Sequence, residues 1–244
     1  MGVKGFGSRE SRKLDMGRHR LEGNPPIIAE LRRSARARRL SLRVSRLDGR
    51  VTLTMPTFAP DAEGIAFLEA KEDWLRKQLA GMAPPAAVGV GSTLPVAGVP
   101  RRIVETDDAR VSLRDDAILL PKGRAIGATL RAFLRETARA ELVAASDRYA
   151  ARLNVRYKQI ALRDTRSRWG SCTADGRLMY SWRLIMAPKE VLEYVAAHEV
   201  AHLVEMNHQP AFWRQVARLC PDYESHRQWL RRHADHLHRY QFDD

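Results

Sequence analysis

The sequence predicts an α+β fold, on three observations. Residues 27–122 carry short runs of alternating apolar and polar residues separated by turn signals, with a single helical pattern among them. A long helical pattern follows, and after it two short strand patterns around a Gly-containing turn. The third observation is a shorter helix that carries two histidines four residues apart. The expected organisation is a disordered basic leader over 1–26, a β-rich N-terminal region over 27–122, and a second domain over 123–244. That second domain is expected to hold a small antiparallel sheet beside the histidine helix.

Residues 1–25 show no apolar periodicity and end in Gly23-Asn24-Pro25-Pro26. Leu40, Leu42 and Val44 then alternate with polar residues, as do Val51, Leu53 and Met55. Asp48-Gly49 between them predicts a β-hairpin. Ile65, Leu68, Leu75 and Leu79 recur at helical spacing from about Pro60 to Leu79, with Asp61 as N-cap and Gly81 as stop. Residues 81–100 read as a connection with at most short strands. Further strands are expected near Arg102–Glu105, Val111–Leu113 and Ile118–Leu120. The densest basic run is Arg32, Arg33, Arg36, Arg38 and Arg39, either a solvated strand edge or an anion-binding patch.

From Ala125 to Leu153 one helix face collects Leu130, Phe133, Leu134, Ala138, Leu142, Ala145 and Tyr149, and Asn154 ends it. Ile160 and Leu162 mark one short strand and Leu178–Tyr180 another, expected to pair as a hairpin across the turn at Ser167–Cys172 and Asp175-Gly176. Pro188 opens the next helix, whose buried face holds Leu192, Val195 and Ala196. Two helices, about Pro210–Leu219 and Asp222–His238, complete the chain.

Composition narrows the class. A chain of 244 residues can bury a substantial core. Two cysteines without a CxxC pair give no disulfide framework, and no stretch is long and apolar enough for a transmembrane helix. The N-terminus lacks the apolar segment of a signal peptide, so a cytoplasmic location is expected, with no membrane insertion. The formal net charge of +13 attracts anions, among them nucleic acid, nucleotide phosphates, acidic membrane surfaces and acidic protein segments.

The chemistry sits at His198-Glu199-Val200-Ala201-His202. Histidines at i and i+4 point the same way, so both imidazoles reach one metal ion. Glu199 lies about a quarter-turn round the helix, placed to take a proton from water on that ion. This is the H-E-x-x-H arrangement of zinc hydrolases. A catalytic zinc takes three protein ligands and leaves one position open. Glu205, His208, Glu224 and His226 are the candidates for the third, and His208 is favoured. It requires the helix to end and the chain to turn back, expected after Met206 with Asn207 in the left-handed conformation.

The stretch Ser167–Leu230 resembles the YgjP-like metallopeptidase family, relatives of the SprT-like zinc peptidases. The resemblance rests on Arg168-Trp169-Gly170-Ser171-Cys172, Trp182-Arg183-Leu184 and Tyr194-Val195 leading into His198-Glu199. It continues through His202, Asn207-His208, Phe212-Trp213, Pro221-Asp222-Tyr223 and Trp229-Leu230. Less specific likeness, through Ser34–Arg39, Asp48-Gly49 and Trp74, extends it over most of residues 27–238. The departures are Val200 for leucine, Ser181 for asparagine and Gln209 for serine, none at a ligand or the base. The resemblance implies a zincin-like catalytic domain with His208 as third ligand.

The expected activity is that of a zinc peptidase with one catalytic Zn2+, in which metal-bound water activated by Glu199 attacks a peptide carbonyl. An extended polypeptide substrate is expected to pair with the strand around Leu178–Ser181. Candidate oxyanion donors are Arg168, Tyr180, Tyr223 and His226. Two alternatives use the basic charge. One is a metal-dependent nucleoside triphosphate hydrolase, against which the chain has no Walker-type loop. The other is a DNA-associated zinc protein.

Overall fold

The structure is a computed structural model and describes residues 17–45, 49–82 and 85–242. The chain divides into two compact units, Met1–Met82 and Ala83–Asp244. This corrects the expected boundary near residue 122. Leu94, Val96, Ile103, Ile118 and Leu120 share a buried cluster with Leu130 and Leu134, so the strands between residues 93 and 121 belong to the core of the second unit.

In the first unit, β1 (Arg18–Leu21), β2 (Ile27–Ser34), β3 (Ser41–Val44) and β4 (Val51–Pro56) form one sheet in the order β1-β2-β4-β3. The expected hairpin forms as the antiparallel pair β3–β4. Asp48 of its turn lies outside the described residues, and Gly49 takes a left-handed φ of 68°. Strands β1 and β2 were not expected. Leu21 pairs with Ile27, which draws part of the expected leader into the sheet; residues 1–16 lie outside the described residues. The arginines mask the alternation of β2. Arg33 turns back to the carbonyls of Pro56, Thr57 and Ala59 and to the Asp61 carboxylate, so it satisfies a loop instead of marking a solvent face.

The single helix expected over 60–79 is two, α1 (Asp61–Ala70) and α2 (Glu72–Ala80). Lys71 breaks them at φ −105°, ψ 8°, and Pro60, not Asp61, is the N-cap. Leu68 and Leu75 remain buried with Leu53 and Met55, so the apolar stripe survives the break. A Cβ at Gly64 would stand 2.7 Å from the end of the Met55 side chain, which would have to shift.

In the second unit, β5 (Ala86–Ala87) and then β6 (Thr93–Val96), β7 (Val99–Thr106), β8 (Ser112–Leu113) and β9 (Ala117–Pro121) precede α3 (Ile126–Leu153). The four-stranded sheet runs β6-β7-β9-β8. Asn154 stops α3 with a left-handed φ of 55°. Next come β10 (Gln159–Arg163), β11 (Gly170–Cys172), β12 (Arg177–Ser181) and a 3₁₀ turn, Trp182–Met186. The histidine helix is α4 (Lys189–Ala201), followed by α5 (Pro210–Leu219), α6 (Tyr223–His238) and β13 (Tyr240–Gln241).

The small sheet corrects the expected hairpin. β10 pairs β12 in parallel, and the antiparallel partner of β12 is β11. The order β10-β12-β11 puts β12 in the centre and leaves β11 at an edge. The loop between β10 and β11 is anchored by Arg183, only 8% exposed. Its guanidinium donates to both oxygens of Asp164, at 2.7 and 3.1 Å, and to the carbonyls of Leu237 and Tyr240. Burial works to raise the Asp164 carboxyl, but hydrogen bonds and charge from Arg183 hold it below the usual carboxylate range.

Candidate metal centre

Helix α4 is buried nearly all round, with Val191, Leu192, Val195, Ala196, Val200 and Ala201 each at most 4% exposed. A helix seated this firmly fixes the direction of every side chain along it. It ends at Ala201, and His202 is its C-cap. The reversal thus comes earlier than expected. Val204 and Glu205 both donate their backbone N–H to the Ala201 carbonyl, so the turn closes before Met206. Asn207 is not left-handed; among the described non-glycine residues only Ala97 and Asn154 have positive φ.

The reversal returns His208 to the helix. One nitrogen from each of His198, His202 and His208 lies within 4.8 Å of the others, and the His198 and His208 Nε2 atoms are 3.2 Å apart. The His202 Nδ1–H donates to the Glu205 carbonyl at 2.9 Å, which leaves the Nε2 lone pair free for a metal. The Trp213 indole N–H donates to the His208 carbonyl at 3.1 Å and holds the returning chain. Phe212, fully buried, stacks on His202 at 4.3 Å and meets His198 and His208 edge-on, each at 4.8 Å.

The electrostatics suit a cation. Burial, with the neighbouring His202 and His208, pushes His198 down to about 3, and burial lowers His202 as well. Neutral imidazoles are the ligand form. Burial raises Glu199 to about 8, only partly opposed by the Arg168 charge. A bound cation reverses that direction, because it favours the carboxylate.

These shifts predict a pH signature in the metal-free protein. A buried carboxyl with a raised pKa loses stability as pH climbs from its unfolded value, near 4.5, to about 8. His198 acts in the opposite sense and costs stability below pH 6.5. With chelator present, Glu199→Gln should therefore match wild type near pH 4.5. It should become progressively more stable up to pH 8, by roughly 2–4 kcal/mol. Thermal unfolding at several pH values checks this, and a constant difference contradicts it.

A cleft of about 240 Å³ opens on the cluster, lined by Gly170, Ser171 and Cys172 of β11, by Glu199, the three histidines and Met206. Gly170 is the residue most easily overlooked. A Cβ there would lie 2.5 Å from a Glu199 carboxylate oxygen, so the glycine is what lets the acid rest against the β11 backbone. Cys172 is half-buried, and burial with the charges of Glu199 and Asp175 pushes its thiol up to about 11.

The other expected site residues are scattered. Tyr180 is fully buried and its hydroxyl is engaged with Ser146 at 3.0 Å, so it reaches no substrate. Tyr223 stacks on Trp213 at 5.3 Å and donates its hydroxyl to Glu224, and the His226 ring lies 6.5 Å from Tyr194. Neither Glu224 nor His226 joins the histidine cluster, and Glu205 contributes its carbonyl, not its carboxylate. Arg168 is exposed, and its charge acts on Glu199. The substrate strand must also be reassigned. β12 is hydrogen-bonded on both sides, so the free edge beside the cleft is β11.

Comparison with known proteins gives one family. The model described as YgjP-like, metallopeptidase domain, matches residues 38–233. No curated protein and no solved structure matches the chain.

Proposed function

The chain belongs to the YgjP-like metallopeptidase family, and on that premise we propose that it is a zinc-dependent peptidase with Glu199 as its general base. The observation that carries this reading is the convergence of three imidazoles beside one buried carboxyl in an open cleft. The nitrogen-only donor set fits zinc, whereas magnesium and calcium prefer oxygen. When bound, zinc lowers the pKa of water towards ~7 and polarises a carbonyl.

The remaining work falls to this chain's own residues. His198, His202 and His208 hold the ion, and the Glu205 carbonyl fixes the His202 tautomer. Glu199 accepts the proton of the attacking water and delivers it to the leaving amine. The edge of β11 aligns an extended polypeptide along the cleft by backbone pairing. Arg168, the one expected oxyanion donor whose charge reaches Glu199, is assigned to the developing negative charge.

The test is cleavage of a degenerate peptide mixture by the zinc-loaded protein, read by mass spectrometry. New peptide termini that disappear with chelator support the reading. An intact mixture with zinc bound and the fold retained removes it.

Gly170→Ala probes the positioning of the base. The added methyl displaces the Glu199 carboxylate, and misplacement on the order of 1 Å costs roughly 10²-fold in turnover. Zinc binding should persist, since no ligand is touched. Unchanged turnover would show that the close approach of Gly170 to Glu199 has no bearing on catalysis.

A further inference from the structure

We infer that the arginine-bearing face of the N-terminal sheet binds duplex DNA through its phosphate backbone. The inference does not rest on the peptidase reading, since it concerns residues 17–60 of the first unit alone.

The sheet has two unlike faces. Leu21, Ile27, Ala29, Val51, Leu53 and Met55 bury one face together with Leu68 and Leu75 of the helices. Residues of the opposite parity point the other way, and the strand registers place Arg18, Arg20, Arg32 and Arg43 on that second face, where Arg50, just before β4, approaches Glu30. All five are exposed. The rest of the face is small or polar, with Thr52 and Thr54 at its centre. Ile28 is a large apolar side chain among the described residues of this face and is 55% exposed.

Charge is segregated between the layers. Residues 17–60 contain ten arginines, no lysine, and three acids, Glu22, Glu30 and Asp48. Residues 61–80, the helical layer, reverse the balance with five acids against three basic residues. Two of the acids on the sheet side lie beside arginines of the face. Glu22 meets Arg20 at 3.3 Å and Glu30 stands 3.9 Å from Arg50. Among the described residues Arg18, Arg32 and Arg43 have no carboxylate partner, nor do Arg36, Arg38 and Arg39 in the adjoining loop. Unpaired guanidinium groups held on a rigid sheet match phosphates, which they grip in a bidentate fork.

The layout selects the form of nucleic acid. Among the described residues the paired positions of this face carry no aromatic side chain, so its strands offer no platform for stacking unpaired bases. Arg18, Glu30, Thr52 and Arg43 stand on one row across all four strands. The two arginines at its ends are therefore about 14 Å apart, three interstrand spacings. That span matches phosphate strands flanking the roughly 12 Å major groove of B-DNA. The narrow major groove of A-form RNA does not supply it. Contacts of this kind are independent of base sequence.

The experiment is fluorescence anisotropy of a labelled random-sequence DNA duplex with the full chain, over a salt series. The triple variant Arg18→Gln, Arg32→Gln, Arg43→Gln is compared with Arg110→Gln, Arg124→Gln, Arg131→Gln, which removes equal charge from exposed positions of the second unit. Wild type should bind with steep salt dependence. The first triple should weaken binding about tenfold or more and flatten the log–log salt slope by about 3, roughly 0.9 per lost phosphate contact. The control triple should change the slope by less than 1. Circular dichroism follows both folds; if the first triple unfolds, Arg32→Gln and Arg43→Gln are tested singly, each expected to flatten the slope by about 1. No binding at low salt, equal losses in the two triples, or preference for single-stranded DNA, duplex RNA or polyglutamate overturns the inference.

Discussion

Glu199→Gln lowers peptide hydrolysis by about 10³-fold and leaves zinc in place, within the 10²–10⁴ range of general acid–base catalysis. Glutamine keeps the shape of the side chain and its seat against Gly170, so the geometry of the cleft survives. What it loses is the capacity to accept a proton. Glu199 is only 5% exposed, and burial lifts its pKa in the metal-free chain. Such a group holds a proton long enough to deliver it to a leaving amine, and a nearby cation favours the deprotonated carboxylate that the preceding step requires. Zinc content by mass spectrometry and turnover on a cleaved peptide check both halves of the prediction. Activity within tenfold of wild type contradicts the role of Glu199, and loss of zinc would make the carboxylate a ligand.

His208→Ala removes zinc from the protein under conditions in which wild type is saturated. His198 and His202 are placed by a buried helix and keep their positions, but two imidazoles do not make a catalytic zinc site. The affinity loss should exceed the ~10–100-fold typical of losing an outer partner of a ligand. Competition with a chromophoric chelator measures it directly. Because His208 is exposed and its backbone is held by Trp213, the alanine variant should remain folded. Wild-type affinity in His208→Ala would exclude this histidine and return Glu224 and His226 to consideration.

The site was more legible than the scaffold. Helical period alone places His198 and His202 on one side of α4, because their geometry is local. His208 followed from the need for a third donor within reach of a reversal. The reversal itself was read one turn too late, because the helix stops at the ligand His202 and not at a glycine or asparagine. Gly170 was recognised as part of a motif, but its reason lies in contact with Glu199, far along the chain. Tyr180 was misread because a strand's inner and outer residues look alike when the strand is central and both sides are covered. The parallel pairing of β10 with β12 has no turn signal to announce it, unlike the Asp48-Gly49 hairpin. In the first unit, arginines at adjacent positions 32 and 33 hid β2, although one serves the exposed face and the other caps a loop.

The most direct test of the central claim, an open three-histidine zinc site, is X-ray absorption at the zinc edge of the loaded protein. An open site gives three imidazole nitrogens and one water oxygen, all at about 2.0–2.1 Å. Cys172 borders the same cleft and is the alternative donor that this measurement distinguishes. A sulfur at about 2.3 Å, or a fourth protein ligand in place of water, would mean a closed structural site and contradict it.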